Sequence, residues 1–387
     1  MAIPLKYNYR NLFVRRVSTG MTVGGIALVV AVFVIVMAMV AGLRSVITTT
    51  GSADNLVVLR KGATTETNSI ITIDQYNALK YLPGISRDEK GDTFASPEVA
   101  VQVFLQRIDG GRDNIVVRGI QPVALKVHDK VRITQGRMFN PGLGEVMVGK
   151  QLLSRYKDCT LGSTLRFGRG NWKVVGIFDA DGSSFESEVW GDLHDILNDT
   201  RRGEYYSCVR LRCVKGADQA ALTRRIDSDP RISLTAVSEP EYYKEQSAVA
   251  NQLRALGMVV AIIMGIGAVF GAMNTMYAAV AARISEIGTL RALGFSPSAV
   301  MTCFVLESVV LAVIGGALGI LLAMPINGFS TSFANFLTFS TLAFNFRVTP
   351  LIVGEALTFA AVMGVLGGSL PARQAMRMQV IEALRRI

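Results

Sequence analysis

Charge-free apolar runs organise this chain. Residues 17–43, 255–282 and 308–346 contain no Asp, Glu, Lys or Arg, and a fourth run covers 356–372 and lengthens when 350–354 is added. A helix crossing the hydrocarbon core needs about 20 such residues, so the third run must hold one span and an uncharged outer loop. Four spans are predicted. The first run is longer than the roughly 7–15 apolar residues of a signal-peptide core, which makes it an anchor.

Between the first and second runs the pattern changes to short alternating segments. Residues 55–60 read as a strand, 74–82 as a helix stopped at Pro83 and Gly84, and 99–108 with 114–120 as a hairpin around Gly110 and Gly111. Residues 145–148 read as a strand, 151–156 as a helical turn or two, and 164–167 pairs with 173–178. A strand at 207–214 and a helix at 217–227 follow, giving an α+β domain with room for two subdomains. Ser238 and Glu241 then form a capping-box pattern with Pro240 in the first turn, and no breaker appears before Gly257. The exit from the domain and the second span are therefore expected to be one helix over 239–282, about 66 Å long and roughly twice the hydrocarbon thickness.

The stretch 274–294 carries that helix out of the apolar region and into a short amphipathic segment. Ile284, Ile287, Leu290 and Leu293 form a narrow stripe, with Arg283, Glu286 and Arg291 elsewhere on the surface. Gly294 suits a left-handed helix end, and Ser296 with Pro297 starts the next helix.

Charge sets the orientation. Lys6, Arg10, Arg15 and Arg16 precede the first span, Arg283 and Arg291 follow the second, and Arg373, Arg377, Arg385 and Arg386 follow the fourth, whereas the loop between spans three and four holds only Arg347. Both termini and the 283–297 segment are thus expected in the cytoplasm, with 44–254 outside. The expected order is a cytoplasmic interfacial lead-in at 1–20, span one with the start of a stalk at 21–47, the outer domain at 48–237 and stalk plus span two at 238–282. After the 283–297 turn come span three at 298–326, an outer loop at 327–349, span four at 350–372 and a tail at 373–387. The fold class is an α-helical integral membrane protein with four transmembrane helices and a large α+β extracytoplasmic domain between helices 1 and 2. The net charge of +10 mostly reflects the basic flanks; the outer segment holds 29 Lys and Arg against 26 Asp and Glu, so nucleic-acid binding has no support.

Within the spans, Gly267 and Gly271, Gly315 and Gly319, and Gly364 and Gly368 have the spacing of close helix packing. Glu307, two turns into span three, is a candidate intramembrane functional residue.

Signals for chemistry in the chain itself are weak. Residues 144–151 (GEVMVGKQ) approach a phosphate loop, but Gln151 replaces the Mg²⁺-binding hydroxyl and Val146, Met147 and Val148 read as a strand. Cys208 and Cys213 point to opposite faces of one strand and should not pair there, Cys159 could pair with either, and Cys303 lies in a span. Without a C-x-x-C, and with only His128 and His194, no metal site and no activated nucleophile is expected.

At 274–294 the chain resembles the MacB and FtsX class of ABC-transporter permeases. Asn274, Met276, Arg283, Glu286-Ile287-Gly288 and Arg291-Ala292-Leu293-Gly294 carry the likeness, with Ser285 standing where a basic residue is usual. It continues through Glu307-Ser308-Val309-Val310-Leu311, Gly315-Gly316 and Gly319, then Pro371-Ala372-Arg373 and Ile381-Glu382-Ala383-Leu384-Arg385, with Val380 in the family's Pro place. Asn55-Leu56-Val57-Val58, Gly144-Glu145-Val146 and Val174-Val175-Gly176-Ile177-Phe178 resemble strands of the family's outer domain. The resemblance implies a dimerising or paired permease of the bacterial inner membrane, among membrane lipids. Arg283, Ile284, Glu286, Ile287, Gly288, Leu290, Arg291, Leu293 and Gly294 would couple to a separate ABC ATPase subunit. ATP and Mg²⁺ would sit on that partner and no cofactor on this chain, and a periplasmic adaptor and outer-membrane channel would complete an exporter. A lipoprotein-releasing permease like LolC, an FtsX-like regulator of cell-wall hydrolases and a ligand receptor are the competing expectations.

Overall fold

The computed structural model describes residues 16–201, 203–246, 248–335 and 340–377. The lead-in before Arg16, the tail motif Ile381–Arg385 and Ser247, on which the expected continuous stalk depends, lie outside the described residues.

In chain order the elements are α1 (Arg16–Thr49), β1 (Asn55–Arg60), β2 (Ile71–Thr72), α2 (Ile73–Lys80), β3 (Ala95–Gln106), β4 (Arg112–Ile120), α3 (Ala124–Val127), β5 (Arg132–Gly136) and β6 (Glu145–Gly149). Then come β7 (Thr164–Phe167), β8 (Gly170–Asp179), β9 (Glu188–Asp192), α4 (Leu193–Thr200), β10 (Tyr205–Tyr206), β11 (Cys208–Arg212), α5 (Gln219–Ser228) and β12 (Leu234–Ser238). The remainder is α6 (Glu239–Gln246), α7 (Ala248–Ala281), α8 (Ile284–Ala292), α9 (Pro297–Ala323), β13 (Ser330–Asn335), β14 (Ser340–Asn345) and α10 (Pro350–Arg377). Two compact units result. One holds residues up to 42, 250–329 and 345 onward; the other holds 43–249 and 330–344.

In the first unit, four helices among the described residues are long and apolar enough to cross a membrane. α1 is the most enclosed of them: Ile26, Val30, Phe33 and Val34 pack with Ala312, Ile320, Ala356 and Ala360. Glycines set the spacing. A Cβ on Gly364 would lie 2.7 Å from the Ala312 Cβ, and one on Gly319 would lie 2.5 Å from the Ala27 carbonyl oxygen. Gly315 and Gly319 therefore pack against α1, and Gly364 and Gly368 against α9, as their spacing predicts. Gly267 and Gly271 differ, because a Cβ on either meets nothing within 4 Å.

The second unit is built on ten strands in the order β12-β1-β11-β3-β4-β9-β6-β8-β5, with β7 on β8. The β4–β9 and β6–β8 pairs are parallel and the other pairs of the sheet antiparallel. One continuous sheet runs through this unit. Its strand order interleaves early and late segments, which local pattern cannot encode. The hairpin expected around Gly110 forms with Val99 opposite Gly119 and Gln106 opposite Arg112. The helical turn at 151–156 shrinks to a 3-10 turn, Lys150–Leu152. The outer loop contains the strands β13 and β14, whose residues 330–344 belong to this unit. All four cysteines are buried thiols. Burial raises the Cys159 thiol to about 12 and the Cys213 thiol to about 11, so both stay protonated and inert at neutral pH. Val146, Met147 and Val148 are fully buried in β6, so the near-match to a phosphate loop is a core strand.

Candidate coupling helix and a buried charge cluster

The C-terminal end of α8 is positioned by its own sequence. Its C-terminus closes in a Schellman arrangement: Phe295 N donates to the Leu290 carbonyl at 3.1 Å and Gly294 N to that of Arg291 at 3.1 Å, with Gly294 at φ +90°. Ser296 then caps α9, its Oγ accepting from Ala299 N at 3.2 Å, with Pro297 in the first turn. Four residues, 293–296, join the two helices, as the Gly-Phe-Ser-Pro sequence predicts.

The predicted stripe is divided between two faces. Ile287 is 2% exposed and packs with Met276, Val280, Val300, Phe304, Ala372 and Ala375, whereas Leu293 is 70% exposed. Ile284, Leu290 and Arg291 are half-buried, Gly288 is buried, and Glu286 and Gly294 are exposed. An apolar spacing of three does not say which residues face a partner and which the chain's own helices. Ile287 faces its own helices, so its side chain roots α8 among them.

Arg283 likewise packs inward. Its guanidinium turns inward and grips Glu307 with both arms, Nη1 to Oε2 at 2.8 Å and Nη2 to Oε1 at 3.1 Å, while lying 5.9 Å from the Phe304 ring centroid. Both residues are buried. Glu307 is thereby paired, and a bidentate pair fixes orientation as well as distance. Their 24-residue separation leaves no periodic signal in the sequence.

The α+β unit contains a cluster that the sequence reading missed. Alternation along the paired strands puts Glu98, Cys208, Arg210, Arg118 and Glu188 on one sheet face, with Cys208 opposite Glu98, Ala100 opposite Arg118 and Arg118 opposite Trp190. Glu66, His128 and the first turn of α6 complete it. Arg118 holds Glu188 through Nε at 2.7 Å and Nη2 at 2.8 Å, and its Nη1 reaches Glu66 at 2.6 Å and Glu98 at 3.0 Å. Arg210, fully buried, donates to Glu98, to Glu66 at 2.5 Å, to Glu239 at 3.1 Å and to the Tyr243 hydroxyl at 3.0 Å. His128 Nε2 lies 2.7 Å from Glu98 Oε1, and Glu239 Oε2 accepts from Asn55 Nδ2 and Ser52 N, each at 2.9 Å. Phe185 lies beneath both guanidinium groups, 5.4 and 5.5 Å away.

Electrostatics follow from that packing. Burial alone would raise the Glu98 carboxyl, but Arg210, His128 and Arg118 outweigh it and hold the group well below the usual carboxylate range. Glu66 is lowered too, burial being overcome by Arg118 and Arg210. Burial works against both guanidinium charges, yet their carboxylate partners raise them well above the ordinary arginine value. Every element that carries a cluster residue is thus held to the others by charge-assisted bonds, including α6 at the domain's exit through Glu239 and Tyr243. A cleft of about 80 Å³ opens beside the cluster, lined among others by Ile47, Glu66, Arg118, Glu188, Tyr243 and Leu342. Among the described residues no group of His, Cys, Asp and Glu is arranged to hold a metal ion. The available signal was a charged residue inside an apolar strand, as in Val117-Arg118-Gly119 and Val209-Arg210-Leu211.

Comparison with known proteins adds the family context. The model of the MacB-like periplasmic core domain matches residues 19–229, and that of the FtsX-like permease C-terminal region matches 258–380. The macrolide export ATP-binding/permease protein MacB of Hahella chejuensis is 28% identical over 244 residues, 59% of this chain and 36% of that protein. MacB of Nitrosomonas europaea is 23% identical over 410 residues, 97% of this chain and 58% of its own length. The pyoverdine export ATP-binding/permease protein PvdT of Pseudomonas entomophila is 24% identical over 406 residues, 98% and 59% respectively. The chain thus spans between about a third and three fifths of these relatives' lengths.

Proposed function

Because the chain belongs to the family of the MacB-like periplasmic core domain, joined here to an FtsX-like permease region, we propose that it is the membrane-spanning permease of an ATP-driven ABC exporter. An ATPase subunit carrying ATP and Mg²⁺ supplies the energy, and this chain converts its conformational change into movement of the α+β domain on the far side of the bacterial inner membrane. Both termini and α8 are cytoplasmic in this reading, following the basic flanks. The permease works as a pair, and a periplasmic adaptor and outer-membrane channel receive the cargo.

The observation that carries the reading is α8. It is a short helix between two spans, closed at its C-terminus, with one side rooted by Arg283 and Ile287 and with Ser285, Glu286, Thr289, Ala292 and Leu293 exposed. A partner that moves this helix moves the helices its root is packed into. The relatives' names, which join ATP binding to permease, support the partner's chemistry.

The direct experiment places a cysteine at Leu293 in an otherwise cysteine-free chain, labels it with a thiol-reactive photocrosslinker and mixes the chain with the candidate ABC ATPase subunit. A nucleotide-sensitive crosslink and stimulated ATP hydrolysis are expected. Neither appearing, with the permease folded, would sink the proposal.

A further inference from the structure

Besides the exit helix expected from the sequence, the chain contains the parts of another route from α8 toward the α+β unit. At its inner end, the root of α8 is bound to α9 by the two-armed Arg283–Glu307 pair. One residue on, Ser308 Oγ donates to the Gly364 carbonyl at 2.8 Å, so α9 is bound in turn to α10. The two helices are joined by β13 and β14, and the base of that connection is closed by Gly328 N to the Phe346 carbonyl and Phe346 N to the Phe329 carbonyl, both at 2.9 Å.

At its outer end the hairpin belongs to the α+β unit. Ala343 N donates to the buried Ser187 Oγ at 3.1 Å, and Arg155 donates to Ser330 Oγ. Ser187 ends the 3-10 turn Ser184–Ser187 and directly precedes Glu188, the carboxylate that Arg118 holds with two bonds. A displacement of the hairpin is therefore applied next to the charge cluster.

We propose that β13–β14 is a second force-bearing link, in which Arg283 and Glu307 are positioning residues that pass movement of α8 to α9 and α10, and the hairpin delivers it to the 184–192 segment. The link rests on the permease reading. Bidentate geometry suits it because a guanidinium–carboxylate fork transmits rotation as well as translation. Coupling of this kind runs through packed and hydrogen-bonded elements rather than through distance alone.

The test is hydrogen–deuterium exchange on the full chain bound to its ATPase, with and without a non-hydrolysable ATP analogue. Wild type is expected to respond at 284–292 and at 184–192. Arg283→Gln and Glu307→Gln should each cut the 184–192 response by about threefold or more, a size typical of coupling residues, with ATPase affinity unchanged. The exchanged pair Arg283→Glu with Glu307→Arg should restore it, which separates positioning from a mere loss of folding. Ala343→Pro deletes the hairpin's donor and should silence 184–192 while 284–292 still responds. A wild type silent at 284–292 strikes at the permease reading itself. A wild type that responds at 284–292 alone, an unchanged response in Ala343→Pro, or no rescue by the exchanged pair overturns the link.

Discussion

Arg210 shows what one buried charge commits a fold to. It answers three carboxylates and a tyrosine hydroxyl from inside a β-strand, and no solvent reaches it. Arg210→Met is expected to cost about 3–5 kcal/mol, because it leaves Glu66, Glu98 and Glu239 buried with part of their compensation gone. A thermal or denaturant midpoint of the full chain in detergent measures it, and a change below about 1 kcal/mol would show the cluster to be solvated. Acid gives a second test. Glu66 and Glu98 have folded values below their unfolded ones, so the stability they supply is complete above the ordinary carboxylate value of about 4.3 and is lost as pH falls through the depressed folded values. Stability from these groups should be level from about pH 5 to 8 and decline below about pH 4. Trp190, whose Nε1 donates to Glu188 at 2.8 Å, reports the event by fluorescence once Trp172→Phe removes the other indole. At this scale the sequence was least legible. Periodicity told that the strands were buried, and a charge in a buried strand announces a partner without naming it.

Elements were read better where local chemistry decides them. β1 falls on the predicted residues, the Gly110 turn aligns β3 with β4, and Gly294 with Ser296 and Pro297 turns α8 into α9. β9 and β12 went unread because each has five residues with a charged or polar end, too short for a period to stand out. β13 and β14 were hidden in a charge-free run whose apolarity reads as membrane or loop. Helix spacing was half legible, since small-residue patterns show where close approach is allowed but not where it happens. The consequence is a contrast between two glycines of the same apparent kind. Gly364→Val should cost about 1–3 kcal/mol, since its first added carbon already collides with Ala312. Gly267→Ala, with open space around it within the chain, should stay within about 0.5 kcal/mol. Unfolding midpoints in a denaturing-detergent titration compare the two.

For the whole molecule under the proposed permease reading, the decisive question is whether the α8 surface is separable from the α8 root. Both carry residues of the same predicted stripe, and a carboxylate placed on either is the same chemical insult. Ile287→Asp puts an unpaired charge among Met276, Val280, Val300 and Phe304, and a buried charge without a partner costs at least about 3 kcal/mol. It should lower the unfolding midpoint whether or not an ATPase is present. Leu293→Asp lies at a 70% exposed site and should leave the midpoint within about 0.5 kcal/mol. Its effect belongs to the partner: an apolar anchor buried on docking is worth about 2 kcal/mol or more, so ATPase affinity should fall by some 30-fold with the permease intact. Calorimetric unfolding and a binding titration on the same two variants distinguish the cases. If Leu293→Asp binds the ATPase like wild type, then α8 is a structural turn between α7 and α9, and the force must enter elsewhere.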